Sequence, residues 1–210
     1  MSLVKSIVFV DGENLTLRFQ AIRAKGRIPL PGVHHEPDVF VWAHPVHPHH
    51  QPIIDTDVIR INYYTSKVGD DDAVTAAREL IAAQRYWGHG DYYGRCQIHP
   101  CVYKKAQKKH KSRLVDINIV IDVMRHSFTD AVDVVYLFSG DGDFVDLVEE
   151  VGRSGKRICV AAFSSGLDPS LSVMADRFVL LDDFYFAPIA ALAPPLPGSA
   201  VAGAAAQATE

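Results

Sequence analysis

Short apolar runs alternate with longer segments of helical periodicity along most of the chain. Such alternation is typical of repeated β–α–β units, and it predicts an α/β fold with a mainly parallel central sheet. The predicted strands are 6–10, 58–64, 97–103, 134–138, 157–163 and 178–181. The predicted helices are 15–25, 73–87, 114–128 and 144–153. Pro100 makes the third strand irregular or an edge strand, because proline cannot donate a ladder hydrogen bond.

Two segments depart from this alternation. Residues 29–56 are rich in proline and carry six of the ten histidines. The interleaved prolines and the lack of a cysteine partner disfavour a zinc site, so we expect an exposed insertion. The chain beyond residue 187 is rich in alanine and proline and has almost no charge, which predicts a weakly ordered tail. We therefore expect one domain over residues 1–186 and a tail over 187–210.

The composition of the chain limits the classes of function that we expect for this protein. A chain of 210 residues, 48% of them hydrophobic, can bury one substantial core. The net charge of -4 disfavours a general polyanion binder, so any nucleic-acid contact requires a local basic patch. No apolar run approaches the roughly 20 residues of a membrane span, and none resembles a signal peptide. Three cysteines without a metal-binding spacing suggest reduced thiols and a cytoplasmic protein.

Two of the predicted strands end abruptly in acidic residues. IVFVDGEN places Asp11 at the end of the first strand, with Glu13 and Asn14 just beyond it, and VVYLFSGDGDF places Asp141 and Asp143 after the fourth. Fully apolar strands are buried on both faces and therefore lie centrally in a sheet. Ligands of open α/β sheets bind beyond the carboxyl ends of such strands. We therefore expect the three aspartates to converge in one cleft.

Clustered carboxylates of this kind favour a metal ion. Their mutual repulsion raises their pKa values unless a cation compensates. Oxygen ligands without cysteine or histidine select Mg²⁺ or Mn²⁺ rather than zinc. Gly12, Gly140 and Gly142 allow tight turns and a close approach of substrate. The alternative that the aspartates only cap helices and form turns stays open for each motif, and it weakens for two motifs at matching positions.

The helix predicted over 114–128 supplies a fourth acid. Its apolar face is predicted to comprise Ile117, Ile119, Val120, Ile121, Val123 and Met124. Asp116 lies near the middle of that face, where an ionised carboxylate is costly unless it is paired or bound to metal. A favourable position in the helix dipole is the alternative. Asp122 is expected on the opposite, solvated side with Asn118 and Arg125.

A basic run precedes this helix. It comprises Lys104, Lys105, Lys108, Lys109, Lys111 and Arg113. Such a run is more often a solvated surface than a binding site. Because this one leads directly to Asp116, we expect it to border the acidic cleft and to hold the phosphates of a phosphodiester backbone.

Three segments together resemble the NYN-domain proteins, in the LabA-like branch of the PIN-like nuclease superfamily. They are IVFVDGEN, KSRLVDINIVIDVM and YLFSGDGDFVDLVEEVGRSGKRICV, and the resemblance runs from about residue 6 to 184. It implies a PIN-like three-layer α/β/α sandwich and metal-dependent ribonuclease activity. By this resemblance the acidic site comprises Asp11, Asp116, Asp141 and Asp143, supported by Asn14, Ser139 and Asp122. The family commonly has Lys-Gly-Val-Asp where this chain has Arg113-Leu114-Val115-Asp116, and its pattern is more compact than residues 29–56.

The predicted function is hydrolysis of RNA, expected to be single-stranded, with one or two Mg²⁺ or Mn²⁺ ions on the four aspartates. Asn14 would orient water or a phosphate oxygen, and Ser139 would hold an aspartate in place. Two alternatives stay open. One is a catalytically inactive RNA- or protein-binding module of the same fold. The other is a haloacid-dehalogenase-like phosphohydrolase using Asp11 and Glu13. The sequence does not decide which RNA is cut, whether cutting is internal, or whether a homodimer forms.

Overall fold

The computed structural model describes residues 4–43, 53–54, 56–86, 96–105, 113–129 and 132–188. The strands are β1 Lys5–Asp11, β2 His34–Glu36, β3 Phe40–Trp42, β4 Asp57–Val68, β5 Arg85–Tyr86, β6 Cys96–Lys105, β7 Val134–Phe138, β8 Arg157–Ala162 and β9 Arg177–Leu180. The helices are α1 Gly12–Ala24, α2 Asp71–Ala82, α3 Arg113–Ser127, α4 Val145–Arg153, α5 Pro169–Met174 and α6 Asp182–Tyr185. One 3₁₀ turn, Gly142–Phe144, precedes α4.

The main sheet has the strand order β5-β6-β4-β1-β7-β8-β9. All neighbours pair in parallel except β5, which runs antiparallel to β6. β1 is central: Asp11 lies opposite Tyr64 of β4, and Val10 lies opposite Phe138 of β7. The carboxyl ends of β1, β4 and β7 therefore meet at one edge of the sheet, which is where a parallel α/β sheet binds its ligands.

Helices cover both faces of the sheet and give the predicted three-layer α/β/α sandwich. Alternate residues of β1 point to opposite faces, so Val8 and Val10 join one apolar cluster while Ile7 and Phe9 join another. The first cluster includes side chains of α1, α2 and α6, and the second includes side chains of α3, α4 and α5. Each layer is thus held by burial of apolar side chains against the same central strands.

Several element boundaries differ from the prediction. The helix predicted over 73–87 ends at Ala82, because its buried stripe of Val74, Ala77 and Ile81 ends there, and residues 85–86 form β5 instead. β4 continues to Val68, four residues beyond its predicted end. Pro100 lies in β6, and β5 pairs only with residues 96 and 97 of that strand. Among the described residues, no strand therefore pairs with Pro100 on the side of β6 away from β4, so Pro100 has the predicted edge position.

The insertion is not simply exposed, as the sequence had suggested. β2 and β3 form a hairpin, and residues 39–43 are buried. The ring of Phe40 lies 4.8 Å from that of Tyr63, and the ring of Trp42 lies 5.9 Å from that of Phe138. The five apolar residues 39–43 were overlooked because the prolines and histidines on either side were taken to indicate an exposed segment. His44, His47, His49 and His50 lie outside the described residues, as does most of the predicted tail.

Two further observations bear on the class of protein. Among the described residues, no helix is both long and apolar enough to cross a membrane. Cys101 and Cys159 are free cysteines.

Candidate functional site

Asp11 is the most constrained acid at the carboxyl edge of the sheet. It ends β1 and caps α1: its Oδ1 accepts a hydrogen bond from the backbone N–H of Asn14 at 3.0 Å. Its Oδ2 accepts a hydrogen bond from the Ser139 hydroxyl at 2.8 Å, and only 2% of the residue is exposed. Burial, together with the smaller effects of the charges of Asp116 and Glu13, raises the pKa of Asp11 to about 7, although these two hydrogen bonds lower it.

Gly12 lets α1 start immediately after Asp11. A Cβ at this position would lie 2.2 Å from Cε1 of Tyr63 and 2.7 Å from the backbone oxygen of Tyr64. Only glycine fits at this distance, so the helix begins against β4 and the Asp11 carboxyl stays at the sheet edge.

The loop after β7 is joined to the start of α1 by a buried hydrogen bond, in which Gly140 donates its backbone N–H to Oδ1 of Asn14 at 3.3 Å. Within the loop, Asp141 donates its backbone N–H to the Ser139 hydroxyl at 3.2 Å. The two acidic motifs therefore meet, as the sequence predicted. Ser139 holds Asp11 in place as expected, and the carboxamide oxygen of Asn14 fixes the opposite loop.

Asp141 and Asp143 are more exposed than Asp11. Asp141 caps the 3₁₀ turn, because its Oδ1 accepts a hydrogen bond from the backbone N–H of Asp143 at 3.2 Å. Asp143 is exposed and borders a surface pocket that α3 and α4 also line. The capping interpretation is thus correct for one oxygen of Asp141, and metal binding by either residue stays a prediction.

Asp116 lies in the first turn of α3, half-buried, near enough for its charge to raise the pKa of Asp11. This position agrees with the prediction that it faces inwards. The predicted apolar face was partly wrong, since Ile117 and Ile121 are about half exposed. The buried stripe consists of Val115, Ile119, Val123 and Ser127, spaced by four residues.

Asp122 is not on the solvated side of α3, as the helical wheel had suggested. Its Oδ2 accepts a hydrogen bond from the Tyr64 hydroxyl at 2.7 Å, and its Oδ1 pairs with Arg125 at 2.6 Å. It therefore joins α3 to β4. The hydrogen bond between Asp122 and the buried Tyr64 depends on how α3 packs against the sheet. A helical wheel contains no information about that packing.

Comparison with family models identifies the family of the chain. The NYN domain model matches residues 5–182. The chain belongs to the NYN domain family. NYN domains are part of the PIN-like nuclease superfamily, which indicates a nuclease-type hydrolase. The LabA-like branch remains a prediction.

The fold of this NYN domain also resembles a solved structure. The crystal structure of a protein of unknown function from Vibrio parahaemolyticus superimposes with a TM-score of 0.53. The two share 19% sequence identity, and the match covers 88% of this chain and 97% of the other. At this identity the likeness supports the PIN-like fold alone. No curated protein matches the chain.

The basic run of the NYN domain is divided by its contacts. Lys105 pairs with Oε1 of Glu13 at 3.3 Å, beside the Asp11 site, and is largely buried. Lys104 pairs with Asp71 of α2 at 2.8 Å on the surface. Arg113 is exposed at the start of α3. Lys108, Lys109 and Lys111 lie outside the described residues. Within the described part of this run, Lys105 is thus the residue that contacts a side chain beside the site.

Sequence reasoning missed one partner at this edge. Ser66 donates its hydroxyl to Oε1 of Glu13, the oxygen that Lys105 also contacts. Ser66 was overlooked because polar residues 65–67 follow the apolar part of β4, so the strand was predicted to end too early. The sequence signal that indicates Glu13 as a residue near the site is its position two residues after Asp11.

PIN-like nucleases generally use divalent metal ions, so we tested whether the described residues fit one. The donors around Asp11 are oxygens, which suits Mg²⁺ or Mn²⁺. A cation would also stabilise the charged form of a carboxyl whose pKa burial has raised. Among the described residues, no three His, Cys, Asp or Glu side chains form a group that could hold a metal ion. The donor chemistry fits, with water and substrate oxygens completing the coordination, as is usual for Mg²⁺.

Proposed function

We propose that this NYN protein is a metal-dependent ribonuclease that hydrolyses phosphodiester bonds of single-stranded RNA at the Asp11 site. The observation that carries the proposal is the buried Asp11 carboxyl, close to Asp116 at the end of the central strand. Burying an acid close to another acid is unfavourable, and such groups are concentrated at functional sites. The family supplies the reaction class.

Asp11 and Asp116 would hold the ion, with Asp141 and Asp143 contributing from the loop after β7. When bound, a divalent ion would supply a water of lowered pKa and positive charge for the leaving oxygen. Mg²⁺ and Mn²⁺ both suit these oxygen donors.

The surrounding residues position this carboxylate. The hydroxyl of Ser139 fixes the direction of Oδ2 of Asp11, and the backbone N–H of Asn14 fixes Oδ1. Because the oxygen of Asn14 is occupied by Gly140, its amide nitrogen is the part that would donate to a phosphate oxygen. The site is therefore organised before RNA binds.

The RNA backbone would follow the basic residues beside the site. Lys105 is linked to the Asp11 site through its ion pair with Glu13. Arg113 begins the helix that carries Asp116, so it would contact a phosphate beyond the scissile one. Lys104, Lys108, Lys109 and Lys111 would extend this path. Such contacts position the strand without reading its sequence.

Cleavage of labelled single-stranded RNA with Mn²⁺ or Mg²⁺ tests the proposal. Wild type is compared with Asp11→Asn, Asp116→Asn and Asp141→Asn, and with Asp146→Asn, which changes an exposed acid of α4. We expect the first two variants to lose roughly 100-fold or more in rate, Asp141→Asn to lose less, and Asp146→Asn to stay close to wild type. Equal cutting by wild type and Asp11→Asn would remove the proposed site.

An inactive RNA-binding module is the second candidate. It is favoured by the lack of a three-ligand acidic group among the described residues. It predicts that RNA binds without being cut under any divalent ion. The haloacid-dehalogenase alternative is disfavoured, because both oxygens of the buried Asp11 accept hydrogen bonds and the chain matches the NYN family.

A further inference from the structure

A groove of about 400 Å³ opens beside Glu13, two residues after Asp11. We call it the hairpin groove; it is lined by Glu13, Thr16, Leu17, residues 37–39, residues 66–68 and Lys105. Its walls are α1, the turn of the β2–β3 hairpin, and the ends of β4 and β6. It is connected electrostatically to the proposed site, because the charge of Glu13 raises the pKa of Asp11.

The walls of the hairpin groove are largely apolar. Leu17 is 58% exposed and Val68 is 42% exposed, and both line it. A single exposed apolar side chain is ordinary on a protein surface. Two that line the same groove, next to a candidate active site, make a slot suited to a flat apolar group.

The hairpin wall is held rigidly against the sheet. The Tyr63 hydroxyl accepts a hydrogen bond from the backbone N–H of Val41 at 3.0 Å, and the ring of Phe40 packs on that of Tyr63. A groove formed before binding needs little ordering when a ligand enters. Its volume lies within the roughly 300–1,000 Å³ typical of small-molecule sites, so it is sized for a nucleotide rather than for a folded RNA.

The polar end of the groove completes the match. Ser66 and Lys105 both contact Oε1 of Glu13, and a carboxylate has further lone pairs, on Oε2, for an N–H donor. Lys67 and Lys105 place positive charge in the lining beside the acids Glu13 and Asp38. A nucleotide has the complementary features: a flat apolar body, N–H groups on its edge and an adjoining phosphate.

We propose that the hairpin groove binds one unpaired nucleobase of the RNA, next to the phosphate at the Asp11 site. This inference rests on the proposed ribonuclease function. The base packs against Leu17 and the hairpin turn, its edge donates to Glu13, and Lys105 contacts the adjoining phosphate. A base in a duplex must leave its stack and its partner to enter, which is unfavourable. The groove thereby selects single-stranded RNA.

Binding is tested on the full chain carrying Asp11→Asn, in EDTA, so that affinity is measured without cleavage. Fluorescence anisotropy compares a short single-stranded RNA, the same RNA with one abasic nucleotide at each position in turn, and its duplex. Leu17→Ala and Val68→Ala are compared with Ile59→Ala, which shortens an exposed side chain near the other end of β4. Thermal unfolding shows that each variant is folded.

We expect Leu17→Ala to weaken single-strand binding by roughly 5- to 10-fold, Val68→Ala by less, and Ile59→Ala by less than about 2-fold. One abasic position weakens binding to the unsubstituted groove, and this loss becomes smaller in Leu17→Ala. The duplex binds more weakly than the single strand. Equal affinities for Leu17→Ala and Ile59→Ala, or no sensitive abasic position, would overturn the inference. Cleavage by wild type is assayed separately. If wild type does not cut RNA, the binding assay still tests the groove; if the groove binds no base, the cleavage assay still tests the ribonuclease proposal.

Discussion

At the scale of single residues, Asp11 links stability to pH. Its carboxyl has a pKa of about 7 in the folded protein, compared with 3.8 for an unperturbed aspartate. The folded state therefore binds the proton more tightly than the unfolded state. It follows that the free energy of unfolding falls as the pH rises from about 4 to about 7. At roughly 1.4 kcal/mol per pKa unit, this charge costs on the order of 4 kcal/mol at neutral pH without a cation.

Replacing Asp11 by Asn should therefore stabilise the metal-free protein at pH 8, by roughly 2 kcal/mol, because the buried charge is removed and a polar group of the same shape remains. The gain should disappear below about pH 4, where the wild-type carboxyl is protonated in both states. Urea unfolding in EDTA at several pH values measures this. Asp146→Asn changes an exposed acid and keeps Asp11, so its stability should follow the pH dependence of wild type. A stability gain for Asp11→Asn that is independent of pH would contradict the assigned burial.

Two glycines make a matched pair for a second test. Gly12→Ala should destabilise the protein by about 1–3 kcal/mol, because its Cβ meets Tyr63 and a backbone oxygen. Gly152→Ala in α4 has nothing within 4 Å of its Cβ and should stabilise by about 0.5–1 kcal/mol. Thermal or urea unfolding compares them. Gly12→Ala with wild-type stability would show that α1 does not start so close to β4.

At the scale of elements, the sequence predicted best the segments that have a clear boundary between apolar and polar residues. β7 was predicted at its observed limits, since its apolar run is bounded by polar residues on both sides. α3 was predicted in extent but not in orientation, because Ile117 and Ile121 are apolar and yet exposed. A helical wheel does not show which of two apolar sides of a helix is covered by a neighbouring element.

The site shows the same division between local and tertiary information. The ends of β1 and β7 were predictable as neighbours, because both strands are apolar throughout and end in acids. The hydrogen bond from Ser139 to Asp11, across 128 residues, followed from that pairing. The contacts of Glu13 with Ser66 and Lys105 did not, because they depend on how far β4 and β6 extend.

The β2–β3 hairpin gives the prediction at this scale. Trp42→Ala should cost about 3–5 kcal/mol, because the buried indole packs on Phe138 and Tyr63 in the main core. His34→Ala, at an exposed position on the same hairpin, should change stability by less than about 0.5 kcal/mol. Urea unfolding measures both. Equal effects would mean that the insertion is only loosely attached to the domain.

At the scale of the whole molecule, both the net charge and the local charge at the sheet edge oppose the binding of RNA. The net charge is -4, and acids gather at the sheet edge where a polyanion is proposed to bind. The proposed cation between the acids and the RNA would resolve this conflict, since it would neutralise carboxylates and attract phosphate. The same cation would offset the cost of burying Asp11, so stability and activity would depend on one charge.

Mn²⁺ binding followed by electron paramagnetic resonance at pH 8 tests this central claim most directly, because it needs no RNA. Wild type should bind Mn²⁺, and both Asp11→Asn and Asp116→Asn should weaken binding by roughly 10- to 100-fold, while Asp146→Asn binds as wild type does. Wild type that fails to bind Mn²⁺, or an Asp11→Asn variant that binds it equally well, would contradict a shared cation at Asp11 and Asp116.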